Sequence, residues 1–295
     1  MEKFNVADHG FEGCLLEAEQ AEEKKVMILN LMFAPHSIMI KKTEQWLVKN
    51  GISALSLASW GTKQTVPDEN LVPLDYILKA AAYLKKLGYQ KIGITGLSLG
   101  AVMALYGAAL SPDISLTISI SGFDMLFEGV LGRGTQYPSG HSSLTLEGKE
   151  LPFQPFYLDK AGYQKEMKEA KKAHGETYGR GLWEKSIQKE CREEAKIPVE
   201  QIRGKILLLS AEHDTCWDSA GAAERINKRI QELGGSASVR SKVYKHATHM
   251  LYPDTVPFIN LMTKMVFKEA KKYSAECAAS RKAVSEEILR AAREW

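Results

Sequence analysis

The sequence has little cysteine: four residues in 295, at Cys14, Cys191, Cys216 and Cys277. They lie far apart and form no C-x-x-C pair, so neither a disulfide framework nor a cysteine zinc site is indicated. Reduced, partly buried thiols in a cytoplasmic protein are expected. The opening residues, MEKFNVADHG, hold no apolar stretch of the signal-peptide kind. No apolar run approaches the roughly 18 residues of a membrane span. Net charge is only +3, too small to point to nucleic acid or a membrane surface as a partner. The lysines of 165–172 and 268–272 stand opposite glutamates, as on solvated helix faces. Neither G-x-x-x-x-G-K-S/T nor G-x-G-x-x-G occurs, so no nucleotide cofactor is implied. Repeats and low-complexity segments are also missing.

What is present is ordinary for a globular protein: 44% apolar and 25% charged residues. The length suits one large α/β domain or two small ones. The reading taken here is one domain over residues 1–295.

The informative stretch is KIGITGLSLGAVMALYG, residues 91–107. A short strand (92–95) runs into Gly96-Leu97-Ser98-Leu99-Gly100, and a helix rich in small residues follows. A bare G-x-S-x-G is a glycine-rich turn as readily as a site. Between a strand and a helix it reads as a nucleophile elbow. The turn is so tight that side chains at its flanks would collide with their neighbours, and glycine removes them. Ser98 is then raised off the sheet edge at a helix N-terminus, which favours negative charge nearby.

Around it the chain alternates. Strands are expected at 11–18, 26–29, 52–58, 92–95, 114–121, 205–211 and 238–244. Helices are expected at 40–49, 71–87, 219–233, 257–272 and 275–295. Gly51 and Gly88 stop two of them, and Leu74, Leu78, Ala81, Leu84 and Leu87 line one apolar face. Alternation of this kind gives a mostly parallel sheet with helices on both faces. The terminal helix docks through Val284, Ile288, Leu289 and Ala292, or else forms a dimer contact; monomer and homodimer both remain open.

The rhythm breaks over residues 123–204, where glycines, prolines and aromatics cluster and helices are expected at 163–174 and 183–195. Such an excursion between the strands 114–121 and 205–211 lies over Ser98. It reads as a lid, against the plainer alternative of a surface insertion. Phe153, Phe156 and Trp183, with Trp60 from the loop after strand 52–58, are expected to line a substrate pocket.

Asp214 follows the strand KILLLSA, and His249 follows the last strand. With Ser98 they give the order Ser…Asp…His, each at the C-terminal end of a different strand. That is the triad order of the α/β-hydrolases, at the sheet edge where open α/β sheets carry their sites. His249 would take the proton of Ser98, and Asp214 would hold the imidazole tautomer. The oxyanion needs two backbone N–H donors. Leu99 supplies one, and Met32 or Phe33, in the glycine-poor loop 30–35, the other. His246 competes with His249 but lies nearer its strand end. Asp218 competes with Asp214 but looks like a helix N-cap. His36 is a candidate for the pocket mouth. His141 and His174 have no ligand at metal spacing, so no metal is assigned.

The segments 96–122, Gly148-Lys149-Glu150-Leu151-Pro152-Phe153, and 197–214 resemble the C-terminal domain of the acyl-CoA thioesterase and bile acid-CoA:amino acid N-acyltransferase family. Trp217-Asp218-Ser219 and Ala223-Glu224-Arg225-Ile226 fit the same pattern, and dienelactone-hydrolase-like proteins share the frame. The resemblance implies an α/β-hydrolase fold, an acyl-enzyme on Ser98, Asp214 as acid and His249 as base. It implies a small ester or thioester substrate, with acyl-CoA among the candidates, and hydrolysis rather than transfer to an amine because position 98 is serine.

Overall fold

The computed structural model describes residues 1–19, 24–32, 34–132 and 135–295. An eight-stranded sheet forms its centre. Its strands are β1 (Glu2–Phe4), β2 (Glu12–Leu16), β3 (Lys25–Asn30), β4 (Ser53–Ala58), β5 (Lys91–Leu97), β6 (Ile114–Ile120), β7 (Lys205–Ala211) and β8 (Ser238–Tyr244). Their order across the sheet is β1-β2-β4-β3-β5-β6-β7-β8. β2 meets both β1 and β4 antiparallel, and every pair from β4 to β8 is parallel. The middle strands are buried along nearly their whole length because both faces are covered, and their polar residues are small ones such as Ser56, Thr95, Thr117 and Ser119.

The helices α1 (Ile38–Lys49), α2 (Asp75–Lys86), α3 (Leu99–Leu110), α6 (Ser219–Glu232) and α9 (Ser274–Arg293) surround this sheet; α4 (Lys160–His174), α5 (Arg180–Lys189), α7 (Ile259–Val266) and α8 (Lys268–Lys272) are also present, with a single helical turn at Val6–His9. Two buried clusters flank the sheet. One gathers α2, α3 and α6 around Ile77, Leu105 and Ile226; the other gathers α1 and α9 around Leu47, Val284 and Ile288. α3 is buried along almost all of its length, which is why its sequence is so small and apolar.

Three expected helices are altered. The stretch 183–195 is the helix Arg180–Lys189, which ends at Glu190, with a separate 3-10 turn at Glu193–Ala195. The stretch 71–87 begins with Val72–Pro73 as a strand beside Leu144–Leu146, and α2 starts only at Asp75. Proline disfavours the helical conformation in the residue before it, so Val72 is extended. The stretch 257–272 is two helices, parted at Phe267, which has an extended backbone and buries its ring.

Residues 123–204 hold more strand than the sequence indicates. Glu128–Leu131 pairs antiparallel with Tyr137–Ser142, and Leu144–Leu146 pairs with Lys149–Glu150. α4 and α5 follow. Buried side chains knit this region together. The Glu128 carboxylate accepts the N–H groups of Gly140 (2.6 Å) and Phe156 (2.9 Å). Gln154 accepts from Arg192 N (2.9 Å) and donates to Ser186 Oγ (3.0 Å) and Glu190 O (2.8 Å). Arg225 on α6 holds Asp124 through two bonds of 2.8 Å, tying the start of the excursion to the body.

Candidate functional site

β3, β5 and β6 end level, with Asn30 opposite Gly96 and Leu97 opposite Ile120. The chain turns at Ser98 with φ 59° and ψ −126°, strained values for a residue with a side chain. The flanking glycines permit it. A Cβ on Gly96 would lie 2.0 Å from the carbonyl oxygen of Gly100, and one on Gly100 would lie 2.0 Å from that of Asn30. Both obstacles are backbone, so neither can move aside. Ser98 N donates to Ile120 O at 3.0 Å, fixing the turn to the next strand.

Ser98 Oγ lies 2.8 Å from His249 Nε2. On the other side of the ring, Nδ1 lies 2.9 Å and 3.0 Å from the two oxygens of Asp214. Asp214 is fully buried and also accepts the N–H of Cys216 at 2.9 Å. Trp217, next in the chain, donates its indole N–H to Ser121 O (2.9 Å), and its ring stands edge-on to His249 at 5.2 Å. Burial alone would lower the pKa of His249. The Asp214 carboxylate and the neighbouring Cys216 outweigh it, so the ring titrates well above the ordinary histidine value.

Three residues expected from the sequence are thus brought together, and their rivals are engaged elsewhere. His246 bonds Glu269 (2.9 Å) and packs on Tyr273. Asp218 caps α6 through Gly221 N and pairs with Arg180 and Arg225. His36 is exposed, and none of its atoms reaches the cavity at Ser98. His141 pairs with Glu150, and His174 stacks on Tyr178. Among the described residues, Asp214, Cys216 and His249 form a set of potential metal ligands whose candidate atoms lie within 4.8 Å of one another. The spacing of histidines in the sequence did not indicate it. Two of its members are already bonded to each other.

Above Ser98 opens a cavity of about 210 Å³. Leu99, Val102 and Met32 line it from the body; Phe123, Met125, Phe127, Val130, Tyr163 and Trp183 line it from the excursion. Met32 has φ 65°, the left-handed region. The N–H of Leu99 opens α3, where the helix itself offers no acceptor. Phe33, the other oxyanion candidate, lies outside the described residues.

Of the four aromatics expected at a pocket, Trp183 alone lines this cavity. Phe156 is buried one layer behind it, its ring 4.9 Å from that of Trp183. Trp60 lines an adjoining cavity of about 240 Å³, which shares Met32, Glu69, Val130 and Gln136 with the first. Phe153 lines neither and packs against the core from outside. Aromatic content marks the region but not which rings point inward. Cys216, Trp217 and Glu69 were missed. The first two lie two and three residues after Asp214, and that nearness was the available signal.

The family profile described as BAAT / Acyl-CoA thioester hydrolase C terminal matches residues 72–287. The chain belongs to this family. Two relatives place that result. The peroxisomal succinyl-coenzyme A thioesterase of Mus musculus is 25% identical over 245 residues, 79% of this chain and 51% of the relative. The acyl-coenzyme A amino acid N-acyltransferase 2 of Rattus norvegicus is 25% identical over 215 residues, 72% of this chain and 46% of the relative. The chain therefore spans about half the length of the curated relatives it matches. Among solved structures, a candidate dienelactone hydrolase from Klebsiella pneumoniae subsp. pneumoniae MGH 78578 is similar with TM-score 0.56 at 14% identity, covering 100% of this chain and 98% of that one. The acylaminoacyl peptidase of Pyrococcus horikoshii gives TM-score 0.54 at 12% identity, with 95% of this chain and 39% of that one covered. At these identities the likeness concerns the α/β-hydrolase fold. Among the described residues, no helix of this family member is long and apolar enough to cross a membrane.

Proposed function

We propose that the chain is a serine hydrolase that cleaves an ester or thioester through an acyl-enzyme on Ser98. The observation that carries this reading is the unbroken hydrogen-bonded line from Asp214 through His249 to Ser98, opening on an apolar cavity. A serine hydroxyl is a weak nucleophile at neutral pH. His249 Nε2 lies at the distance needed to take its proton as Oγ attacks the carbonyl carbon. Asp214 keeps the Nδ1 proton in place and stabilises the imidazolium. The carbonyl oxygen, now negative, would be met by the N–H groups of Leu99 and Met32. Collapse expels the alcohol or thiol, which receives the proton from His249. Water then repeats the sequence and releases the acid.

In this reading residues 123–204 are a lid whose aromatic face shapes the acyl site, and residues 1–295 act as one catalytic domain. Acyl-CoA is the favoured substrate class, on the names of the mammalian relatives. A reducing, cytoplasmic setting is consistent with four unpaired cysteines, although the mouse relative is named as peroxisomal. The test is kcat/KM for a panel of acyl-CoA thioesters and aryl esters, with Ser98→Ala as control. Turnover of any of them that disappears in the variant supports the reading; a panel without turnover counts against it.

The rat relative's name motivates a second reading, transfer of the acyl group to an amine. The acyl-enzyme is the same and the acceptor differs. Product analysis with glycine or taurine present separates the two: free acid means hydrolysis, and an amide means transfer.

A further inference from the structure

Two carboxyl groups, those of Glu69 and Glu128, face the cavity over Ser98. Their situations differ. Glu128 has both oxygens committed to backbone amides, as described above. Glu69 sits in the loop before α2, where its carbonyl oxygen accepts Val130 N at 3.1 Å and so pins the loop to the excursion. Among the described residues, nothing donates a hydrogen bond to its carboxyl. Glu69 also lines the adjoining cavity with Met32, Val130 and Gln136, so it stands where the two spaces meet. The side chains of Met32 and Val130 offer an anion nothing; Gln136 and Trp183 carry N–H groups, but neither is bonded to this carboxyl.

The titratable and charged groups that face Glu69 are few. His249 lies across the cavity and favours its ionised form; Asp68 beside it opposes that form. Tyr163, Cys216 and Glu128 complete the surroundings. Among the described residues His249 is the member of this group that carries a positive charge when protonated, and the productive enzyme holds it neutral. Loss of solvation dominates and pushes the carboxyl up to about 7, so it carries a proton in slightly acid solution and a charge in slightly alkaline solution.

We propose that Glu69 is a specificity residue that admits neutral acyl groups to this cavity and turns away those ending in a carboxylate. The inference rests on the serine-hydrolase reading for its substrates. In the productive enzyme His249 is neutral, and then, among the described residues, no cation stands between two carboxylates in a space of about 210 Å³, so they repel strongly. A neutral acyl tail meets only the apolar walls. The chain would then differ from its mouse relative, whose name specifies a succinyl group.

The test compares p-nitrophenyl hexanoate with mono-p-nitrophenyl adipate, acyl groups of equal length that differ in a terminal carboxylate. Each is measured with wild type and Glu69→Gln at pH 6 and pH 8. The ratio of kcat/KM values cancels the contribution of His249, which both esters share. Wild type should prefer the hexanoate, by a ratio that grows about tenfold from pH 6 to pH 8 as Glu69 ionises. In Glu69→Gln the ratio should be smaller and the same at both pH values. A ratio independent of pH in wild type and unchanged in the variant would overturn the proposal. Binding is read separately, by calorimetry of Ser98→Ala and of Ser98→Ala with Glu69→Gln, each with hexanamide and with the monoamide of adipic acid; the difference between the two proteins removes the contribution of His249. If no ester is turned over but binding keeps the pH-dependent preference, the hydrolase reading falls and the role of Glu69 stands. If esters are turned over and neither measurement shows the preference, the reverse holds.

Discussion

His249 Nε2 approaches Ser98 Oγ to 2.8 Å although 151 residues of chain separate them. The two are joined by architecture. Ser98 is held by the elbow after β5, and His249 by the loop after β8, at the same end of the parallel strands of one sheet. The consequences of that pairing can be measured.

The first concerns pH. If His249 must be neutral to accept the proton, activity rises as the ring loses its own. Asp214 and Cys216 raise its pKa above the ordinary value of about 6.5, so the rise should be centred above that value. Cys216→Ala removes one of the two raising influences and should move the midpoint to lower pH. Profiles of kcat/KM for both proteins check this; a shift upward or none would count against the assignment.

The second concerns Asp214. Asp214→Asn keeps a side chain of the same shape that still accepts the Cys216 N–H, so the fold should hold. It no longer fixes the Nδ1 proton or balances the imidazolium. Turnover should fall on the order of 10⁴-fold with KM little changed. Steady-state kinetics beside an unchanged circular dichroism spectrum would show it.

The third concerns the elbow. In Gly100→Ala the new methyl would lie 2.0 Å from Asn30 O, a backbone atom of a central strand. The loss of stability should exceed about 3 kcal/mol, at the upper end of overpacking costs. Urea unfolding reads this directly, and a midpoint equal to wild type would show that the turn is looser than described.

The fourth concerns the acyl site. The Trp183 ring contacts Phe127, Phe156 and Trp217 at centroid distances of 4.2 Å, 4.9 Å and 5.1 Å and walls the cavity. Trp183→Ala should cost about 3 kcal/mol of stability and shift preference towards bulkier acyl groups. A chain-length series of esters measures the shift; an unchanged preference would place the acyl group elsewhere.

The central alternation was legible because buried parallel strands are rich in apolar residues, broken only by small polar ones such as Thr117 and Ser119, and their connecting helices carry one apolar face. The elbow was legible because a strained serine turn tolerates only glycine at 96 and 100, a constraint that leaves a mark in sequence. His249 stood out over His246 through the length of its loop. The excursion was not legible in the same way. Its strands are short, two to six residues each, and Tyr137–Ser142 is mostly polar, so no period could emerge. Inward-facing residues such as Met125, Phe127 and Tyr163 are set by packing against α5 and the loop after β7, contacts distant in sequence. Glu69 was hidden for a related reason: a glutamate in a polar loop looks solvated until the wall opposite it is known. Pro73 announced the late start of α2, but the partner strand at Leu144–Leu146 lies 72 residues away in the register Leu144 with Val72 and Thr145 with Pro73, where local pattern does not reach.

The most direct test of the central claim is intact mass after treatment with a fluorophosphonate, on wild type and on Ser98→Ala. The account predicts a single adduct on wild type and none on the variant, because an ordinary serine does not react and one activated by His249 does. Equal labelling of both proteins, or labelling of neither, would contradict it.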